Sequence, residues 1–120
     1  MKQRIFVYGT LKRGGPYSRY MAGQDFIAEA KTGPGFYLAD CGGYPGMFPV
    51  GSEGRSILGE VWDVNEKCLA ALDVLEDVAG GEYKFGQIPL LAPFDAEVIH
   101  GYLHLRATEA LPDAGTNWKV

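Results

Sequence analysis

Along this chain, segments rich in β-branched and aromatic residues alternate with clusters of glycine and proline. Ile5-Phe6-Val7-Tyr8 is the first such segment and ends at Gly9, a residue that permits positive φ, so a strand runs directly into a turn. Further β-forming segments span Asp25 to Ala30, Phe36 to Ala39, Ile57 to Val64, Tyr83 to Leu91 and Glu97 to Leu105, about six strands in all. The clusters between them, notably Gly33-Pro34-Gly35 and Gly42-Gly43-Tyr44-Pro45-Gly46, read as tight turns rather than linkers. One helix is well signalled. Asp63 followed three residues later by Glu66 has the form of a capping box, and no Gly or Pro intervenes before Gly80, which predicts a helix from about Val64 to Asp77. Val64, Cys68, Ala71, Leu72 and Leu75 share one face of that helix, which packs on the sheet. Pro16 suits a first helical position, and a shorter second helix from there ends near Gly23. The elements together predict an α+β, mostly β fold: a closed or strongly curved barrel with one main and one short helix.

Length and composition narrow the setting. A chain of 120 residues, 47% of them hydrophobic, can bury a core without staples, and a single domain over residues 1–120 is expected. The longest apolar runs, such as Ile88 to Pro93, are far too short to cross a bilayer. Met1-Lys2-Gln3-Arg4 leads into a strand-like segment rather than a signal-peptide core, so a cytoplasmic protein without a membrane partner is expected. Eleven basic against fifteen acidic residues give a net charge of −4, and Lys12-Arg13 is the only adjacent basic pair, no footprint for nucleic acid. Two cysteines, Cys41 and Cys68, make no disulfide framework and read as free thiols in a reducing compartment.

Two features could carry chemistry. At about 100° per residue, Glu66, Asp73 and Asp77 gather on the polar arc of the predicted helix, whereas Glu76 projects between the directions of Leu72 and Leu69. A carboxylate at the edge of an apolar face, in the last helical turn, with Asp73 and Asp77 nearby, should have a raised pKa suited to proton transfer near neutrality. Helical geometry alone leaves open a side chain that simply snorkels to water. The second feature is Tyr8-Gly9-Thr10-Leu11-Lys12-Arg13-Gly14, a strand-to-turn junction whose successive backbone N–H groups can converge on an anion, with the Thr10 hydroxyl as a further donor or acceptor. A plain glycine turn is the alternative. His100 and His104 have a metal-ligand spacing for a helix, but they fall in a strand, where four residues span about 13 Å, too far to share one zinc. No metal site is expected. Cys41, in the Asp40-Cys41-Gly42-Gly43 turn, is either a structural thiol or a nucleophile activated by one of these histidines.

Phe6 to Gly14, Gly59-Glu60-Val61-Trp62-Asp63-Val64, Leu72-Asp73-Val74-Leu75-Glu76 with Tyr83 soon after, and the closing Gly115-Thr116-Asn117-Trp118 together resemble the γ-glutamyl cyclotransferase-like family. That resemblance implies a six-stranded barrel with flanking helices and a pocket at its mouth. It implies that Glu76 is the catalytic acid/base, that the turn of Tyr8, Gly9, Thr10 and Leu11 holds a small-molecule γ-glutamyl substrate, and that Tyr83 lines or closes the pocket. The implied reaction releases 5-oxoproline and a free amine without cofactor, metal or water, because the substrate's own α-amine attacks its γ-carbonyl. The short chain is similar to the γ-glutamylamine cyclotransferase subgroup. One position departs: Phe85 stands two residues after Tyr83, where family members often carry Arg. The alternatives are a small-molecule-binding domain without turnover and a Cys41-dependent thiol hydrolase; the leaving amine and the oligomeric state stay open.

Overall fold

The computed structural model describes residues 2–120. Strand β1 (Lys2–Val7) is followed by a 3₁₀ turn (Ser18–Met21), β2 (Asp25–Lys31), β3 (Phe36–Asp40), β4 (Pro45–Pro49), a second 3₁₀ turn (Gly51–Glu53), β5 (Leu58–Asn65), helix α1 (Glu66–Leu75), β6 (Tyr83–Gln87) and β7 (His100–His104). Five strands form one sheet in the order β2-β5-β1-β7-β6, and β3 and β4 pair in a second. Within the larger sheet only β1 and β7 run parallel, with Ile5 opposite His100 and Phe6 opposite Gly101.

β1 lies in the middle of this sheet and is apolar on both faces, as a strand covered on both sides must be. Phe6 and the following Tyr8 face one layer with Leu38, Met47, Val61 and Leu103. Ile5 and Val7 face the other with Trp62, Tyr102, Cys68 and Leu72. The first layer is closed by the β3–β4 hairpin, the second by α1 and the first 3₁₀ turn.

Among the described residues there are thus seven strands in two sheets rather than six in one barrel, and no closed barrel is found. The edges of the larger sheet approach at a single bridge, Thr32 to Leu90. The Gly33 N–H donating to Pro89 O (2.8 Å) and the Leu91 N–H to Lys31 O (2.9 Å) flank it, but no ladder follows. The first two residues of β4, Pro45 and Gly46, fall in the cluster from Gly42 to Gly46 that reads as a tight turn, and Pro49 ends the strand. They are tolerated because β4 pairs only with β3, at an edge where missing donors cost little. β6 and β7 are shorter than the expected segments, and the short second helix is only the 3₁₀ turn.

The expected capping box is also corrected. β5 continues through Asn65, which pairs with Lys2, so Val64 is a strand residue and Asp63 meets Arg4 instead of capping a helix. Asn65 is the cap: its Oδ1 accepts from the Cys68 N–H at 2.8 Å. Of the expected inward face, Cys68 and Leu72 are buried, but Ala71 is exposed. No helix among the described residues is long and apolar enough to cross a membrane. Replacing Asn65 with Ala should cost about 1 kcal/mol of stability, as loss of an N-cap does. Asp63→Ala, which removes only a half-exposed ion pair, should cost less than about 0.5 kcal/mol. Chemical denaturation of both variants checks the assignment; the opposite ranking would restore Asp63 as the cap.

Candidate active site

Where β1 leaves the sheet, its continuation folds into a tight loop. The Lys12 N–H closes a turn onto Gly9 O (3.0 Å), and the Tyr17 N–H returns to Thr10 O (3.0 Å). Gly9 is required here by proximity rather than by φ, which is not positive: a Cβ would lie 2.3 Å from Cγ of Pro45. The two basic side chains of the loop are drawn away from this point and pin it from behind. Lys12 Nζ donates to Asn117 Oδ1 (2.9 Å) and Trp118 O (2.6 Å). Arg13 donates from its backbone N (3.1 Å) and from Nε (3.0 Å) to the buried Glu60, which also accepts from Trp62 Nε1 (3.1 Å). The N–H groups of Lys12 and Arg13 are therefore spent. Those of Gly9, Thr10 and Leu11 donate to no acceptor among the described residues.

These three residues open onto a cavity of about 240 Å³ whose wall also contains Tyr8, Tyr83 and Glu76, so all six residues singled out from the sequence meet in one place. Tyr17, Tyr44, Pro45, Glu82 and Tyr102 complete much of the wall, and the sequence reading named none of them as site residues. Glu82 and Tyr44 lie in stretches read as loops, and Tyr102 in a strand with no motif of its own.

Glu76 sits at the C-cap of α1 rather than within its last turn, with φ −86° and ψ 3°, and its N–H still donates to Leu72 O. Burial pushes its carboxyl up to about 7, with the charge of Glu82 adding to the shift. The expected acidic neighbours were Asp73 and Asp77. Asp73 is instead tied to the site wall, because its Oδ1 accepts from the Tyr102 hydroxyl at 2.7 Å, so it is not a free acid of the polar arc.

Four of the five tyrosine hydroxyls around the cavity are committed, that of Tyr17 being the exception among the described residues. Tyr8 donates to Tyr102 O (2.7 Å) and accepts from the Met47 N–H (3.1 Å). Tyr83 donates to Pro45 O (2.6 Å), and Tyr44 to Glu82 Oε2 (2.6 Å). Burial holds the Tyr8, Tyr83 and Tyr102 hydroxyls well above the usual phenol range, and the bond to Glu82 pushes Tyr44 up to about 12. They are walls and fasteners, not proton donors to a ligand. Phe85 stacks on His100 with centroids 5.1 Å apart and tilts against Tyr102, extending the apolar layer under α1. Cys41 lies outside the cavity wall, and burial with the charges of Glu82 and Asp40 pushes its thiol up, away from nucleophilic use.

The sequence profile of the family described as γ-glutamyl cyclotransferase, AIG2-like, matches residues 5–119. The chain belongs to that family. A Vibrio cholerae protein provisionally named a γ-glutamylcyclotransferase is 37% identical over 116 residues, covering 96% of this chain and 95% of that one. The γ-glutamylaminecyclotransferase of Mus musculus is 36% identical over 80 residues, 61% of this chain and 54% of the mouse protein. The crystal structure of an AIG2-like protein from Mus musculus superposes with a TM-score of 0.78 at 28% identity, covering 93% of this chain and 85% of the other. The match to the AIG2-like family therefore includes both the turn after β1 and the end of α1.

Two predictions follow from the site's physics alone. Both native and unfolded chains hold the Glu76 proton below about pH 4.5; between there and about 7 the unfolded chain ionises while the buried carboxyl resists, so its burial costs stability progressively and in full above about 7. The stability gain of Glu76→Gln over wild type should rise from near zero at about pH 4 to at most on the order of 3 kcal/mol at about pH 8. A gain independent of pH, measured by denaturation across that range, would show the carboxyl to be unperturbed. Gly9→Ala should cost about 1–3 kcal/mol through the forced displacement of Pro45. Gly33→Ala, whose added Cβ meets only Pro89 O at 3.8 Å, should cost nothing. Equal melting temperatures for the two variants would refute the close approach.

Proposed function

We propose that this chain catalyses γ-glutamyl cyclotransfer, releasing 5-oxoproline and a free amine from a γ-glutamyl amine or γ-glutamyl amino acid. The observation that carries this reading is a buried carboxyl poised near 7 in the same cavity as three unspent backbone N–H groups. The substrate's α-amine attacks its own γ-carbonyl, the five-membered lactam closes, and the amide nitrogen departs. Because nucleophile and electrophile share one chain, folding the glutamyl group back supplies much of the rate, with effective molarities of about 10⁵ to 10⁸ M for well-oriented cases. The α-ammonium must first lose a proton. Glu76, with its pKa near the working pH, accepts that proton and delivers it to the leaving nitrogen, and the second proton that the ring nitrogen sheds as the lactam closes ends on the freed amine, which departs as its ammonium form. The amides of Gly9, Thr10 and Leu11 and the Thr10 hydroxyl serve the α-carboxylate and the developing oxyanion. Tyr8 and Tyr83 contribute rings and fixed walls rather than hydroxyl protons. No cofactor or metal is required by these steps.

The thiol-hydrolase alternative has little to support it. The Nδ1 of His104 accepts from the N–H groups of Arg106 (3.1 Å) and Ala107 (2.8 Å), and Nε2 faces Glu82, so neither nitrogen is free to activate Cys41.

Turnover by wild type, Glu76→Gln and Glu66→Gln, measured as 5-oxoproline release from a panel of γ-glutamyl compounds, is the test. Asp73→Asn is no neutral control, because it disturbs Tyr102. Glu76→Gln should lose about 10² to 10⁴ in kcat, the usual contribution of a general acid/base, and Glu66→Gln should lose almost nothing. The acid limb of kcat/KM should have its midpoint near 7 in wild type. Compounds with a blocked α-amine should bind without reacting. More than about a tenth of wild-type turnover in Glu76→Gln would assign the proton transfer elsewhere. Free glutamate from the blocked compounds would indicate hydrolysis, and binding of 5-oxoproline without any turnover would indicate a binding domain.

A further inference from the structure

Glu82 is held in the cavity wall by both its backbone and its side chain, and the steps above do not use it. Its backbone is fixed on both sides: the Glu82 N–H donates to Asp77 O (3.1 Å) and Glu82 O accepts from the Leu105 N–H (2.9 Å). Its carboxylate is held at one oxygen only. Oε2 accepts from the Tyr44 hydroxyl at 2.6 Å and lies 3.4 Å from Nε2 of His104. His104 is buried, and its Nδ1 is occupied as an acceptor by two backbone N–H groups, which leaves the ring proton on Nε2, toward Glu82. Gly46 makes room for this ring, since a Cβ there would lie 2.9 Å from it. A chain of contacts thus runs from backbone amides through His104 to Oε2, while Oε1 takes no hydrogen bond from a described residue.

The charge of the cavity adds an independent argument. Its wall contains two carboxylates, Glu76 and Glu82, and no Lys, Arg or His. Such a cavity attracts a cation. We infer that Glu82 is a substrate-contacting carboxylate: its free Oε1 receives the α-ammonium of the γ-glutamyl group and holds it beside Glu76. The N–H bond that breaks is then the one directed at Glu76, whose carboxyl gains the proton, while Glu82 keeps its hydrogen bonds to Tyr44 and His104 and steadies the remaining amine. Glu82 thereby selects substrates with a free α-amine at the binding step, before any bond changes. The identity of the cation rests on the cyclotransferase reading; the presence of a cation-holding carboxylate does not.

Calorimetric binding of three probes to wild type, Glu82→Gln and Tyr44→Phe tests this. L-Glutamine carries the α-ammonium, whereas N-acetyl-L-glutamine and 5-oxoproline lack it. Wild type should prefer L-glutamine to its N-acetyl form. Glu82→Gln should weaken L-glutamine about tenfold or more, as loss of a charge-assisted bond does, and leave the other two within about twofold. Tyr44→Phe, which keeps the carboxylate but frees Oε2, should show the same selective loss to a smaller degree, and carries the test should Glu82→Gln fold poorly. Unchanged L-glutamine affinity in both variants, or an equal loss for all three probes, overturns the proposal. The two readings fail separately. A wild type that prefers L-glutamine and responds to Glu82→Gln as described, yet turns over no γ-glutamyl compound, keeps this proposal and removes the reaction. Turnover without that preference removes only the proposal.

Discussion

Two buried tyrosine hydroxyls hold the β3–β4 hairpin against the five-stranded sheet, and the cavity exists because they do. Tyr8, just past β1, spans from Tyr102 O on β7 to the Met47 N–H on β4, and Tyr83 on β6 reaches Pro45 O. A two-stranded hairpin rich in glycine and proline has little intrinsic stability in water. Here it is anchored at both Pro45 and Met47 by bonds in a desolvated layer, where each is electrostatically stronger than at the surface. With β4 fixed, Pro45 becomes one wall of the cavity and sits so near the turn after β1 that only glycine fits at position 9. Breaking either bond leaves a buried backbone group unpaired, a cost of about 1–3 kcal/mol.

The same fasteners decide what is left for a ligand. Each hydroxyl spent on backbone or on a carboxylate is unavailable inside the cavity, so the unspent donors of the wall are the Gly9-to-Leu11 amides and the Thr10 and Tyr17 hydroxyls. Lys12 and Arg13 would be the obvious competitors for an anion. Both are pulled behind the loop, Lys12 toward Asn117 and Trp118, Arg13 onto Glu60 with its guanidinium 3.7 Å over the Phe26 ring. Their charge stiffens the loop instead of filling it. The cavity consequently divides into a neutral donor edge and an acidic edge, a division suited to a zwitterionic head group, whose carboxylate and ammonium need opposite surroundings.

Much of this was legible in the sequence, and what was not has physical reasons. The β1-turn junction and β5 announce themselves through local residue types, and the resemblance carried by Tyr8 to Leu11 and by Glu76 named residues that the fold does bring to one cavity. β4 was hidden because Pro45, Gly46 and Pro49 are poor strand residues whose placement is decided by β3 and by two distant tyrosines, not by local preference. The helix start was expected two residues early: Asp63 and Glu66 fit the capping pattern, but the pairing of β5 with β1 extends the strand to Asn65 and overrides it. The raised carboxyl of Glu76 was foreseen for the right reason, burial, and for the wrong neighbour. Asp73 is close in sequence, yet it turns to Tyr102, while the charge that counts comes from Glu82, six positions on and outside the helix altogether.

That juxtaposition of two carboxylates turns on one residue. Asp77, directly after the C-cap, adopts φ 51°, a left-handed conformation uncommon for a side chain larger than glycine's though one that Asp tolerates better than most. From there the chain reverses instead of extending the helix: the Gly80 N–H returns to Asp77 Oδ1 (3.2 Å) and the Glu82 N–H to Asp77 O (3.1 Å). The reversal delivers Glu82 to the cavity that Glu76 already faces. Both acids then lie near the end of α1, where the helix dipole presents its negative pole and carbonyls outnumber donors. Burial and the charge of Glu82 oppose ionisation of Glu76, which has no side-chain donor among the described residues, whereas the Glu82 carboxylate is met by Tyr44 and His104. Asymmetry of this kind separates two identical functional groups into one fixed by hydrogen bonds and one left without them, whose burial pushes its carboxyl up to about 7. It arises from which of the two has hydrogen-bond partners, and so from a turn of a few residues rather than from any difference in the side chains themselves.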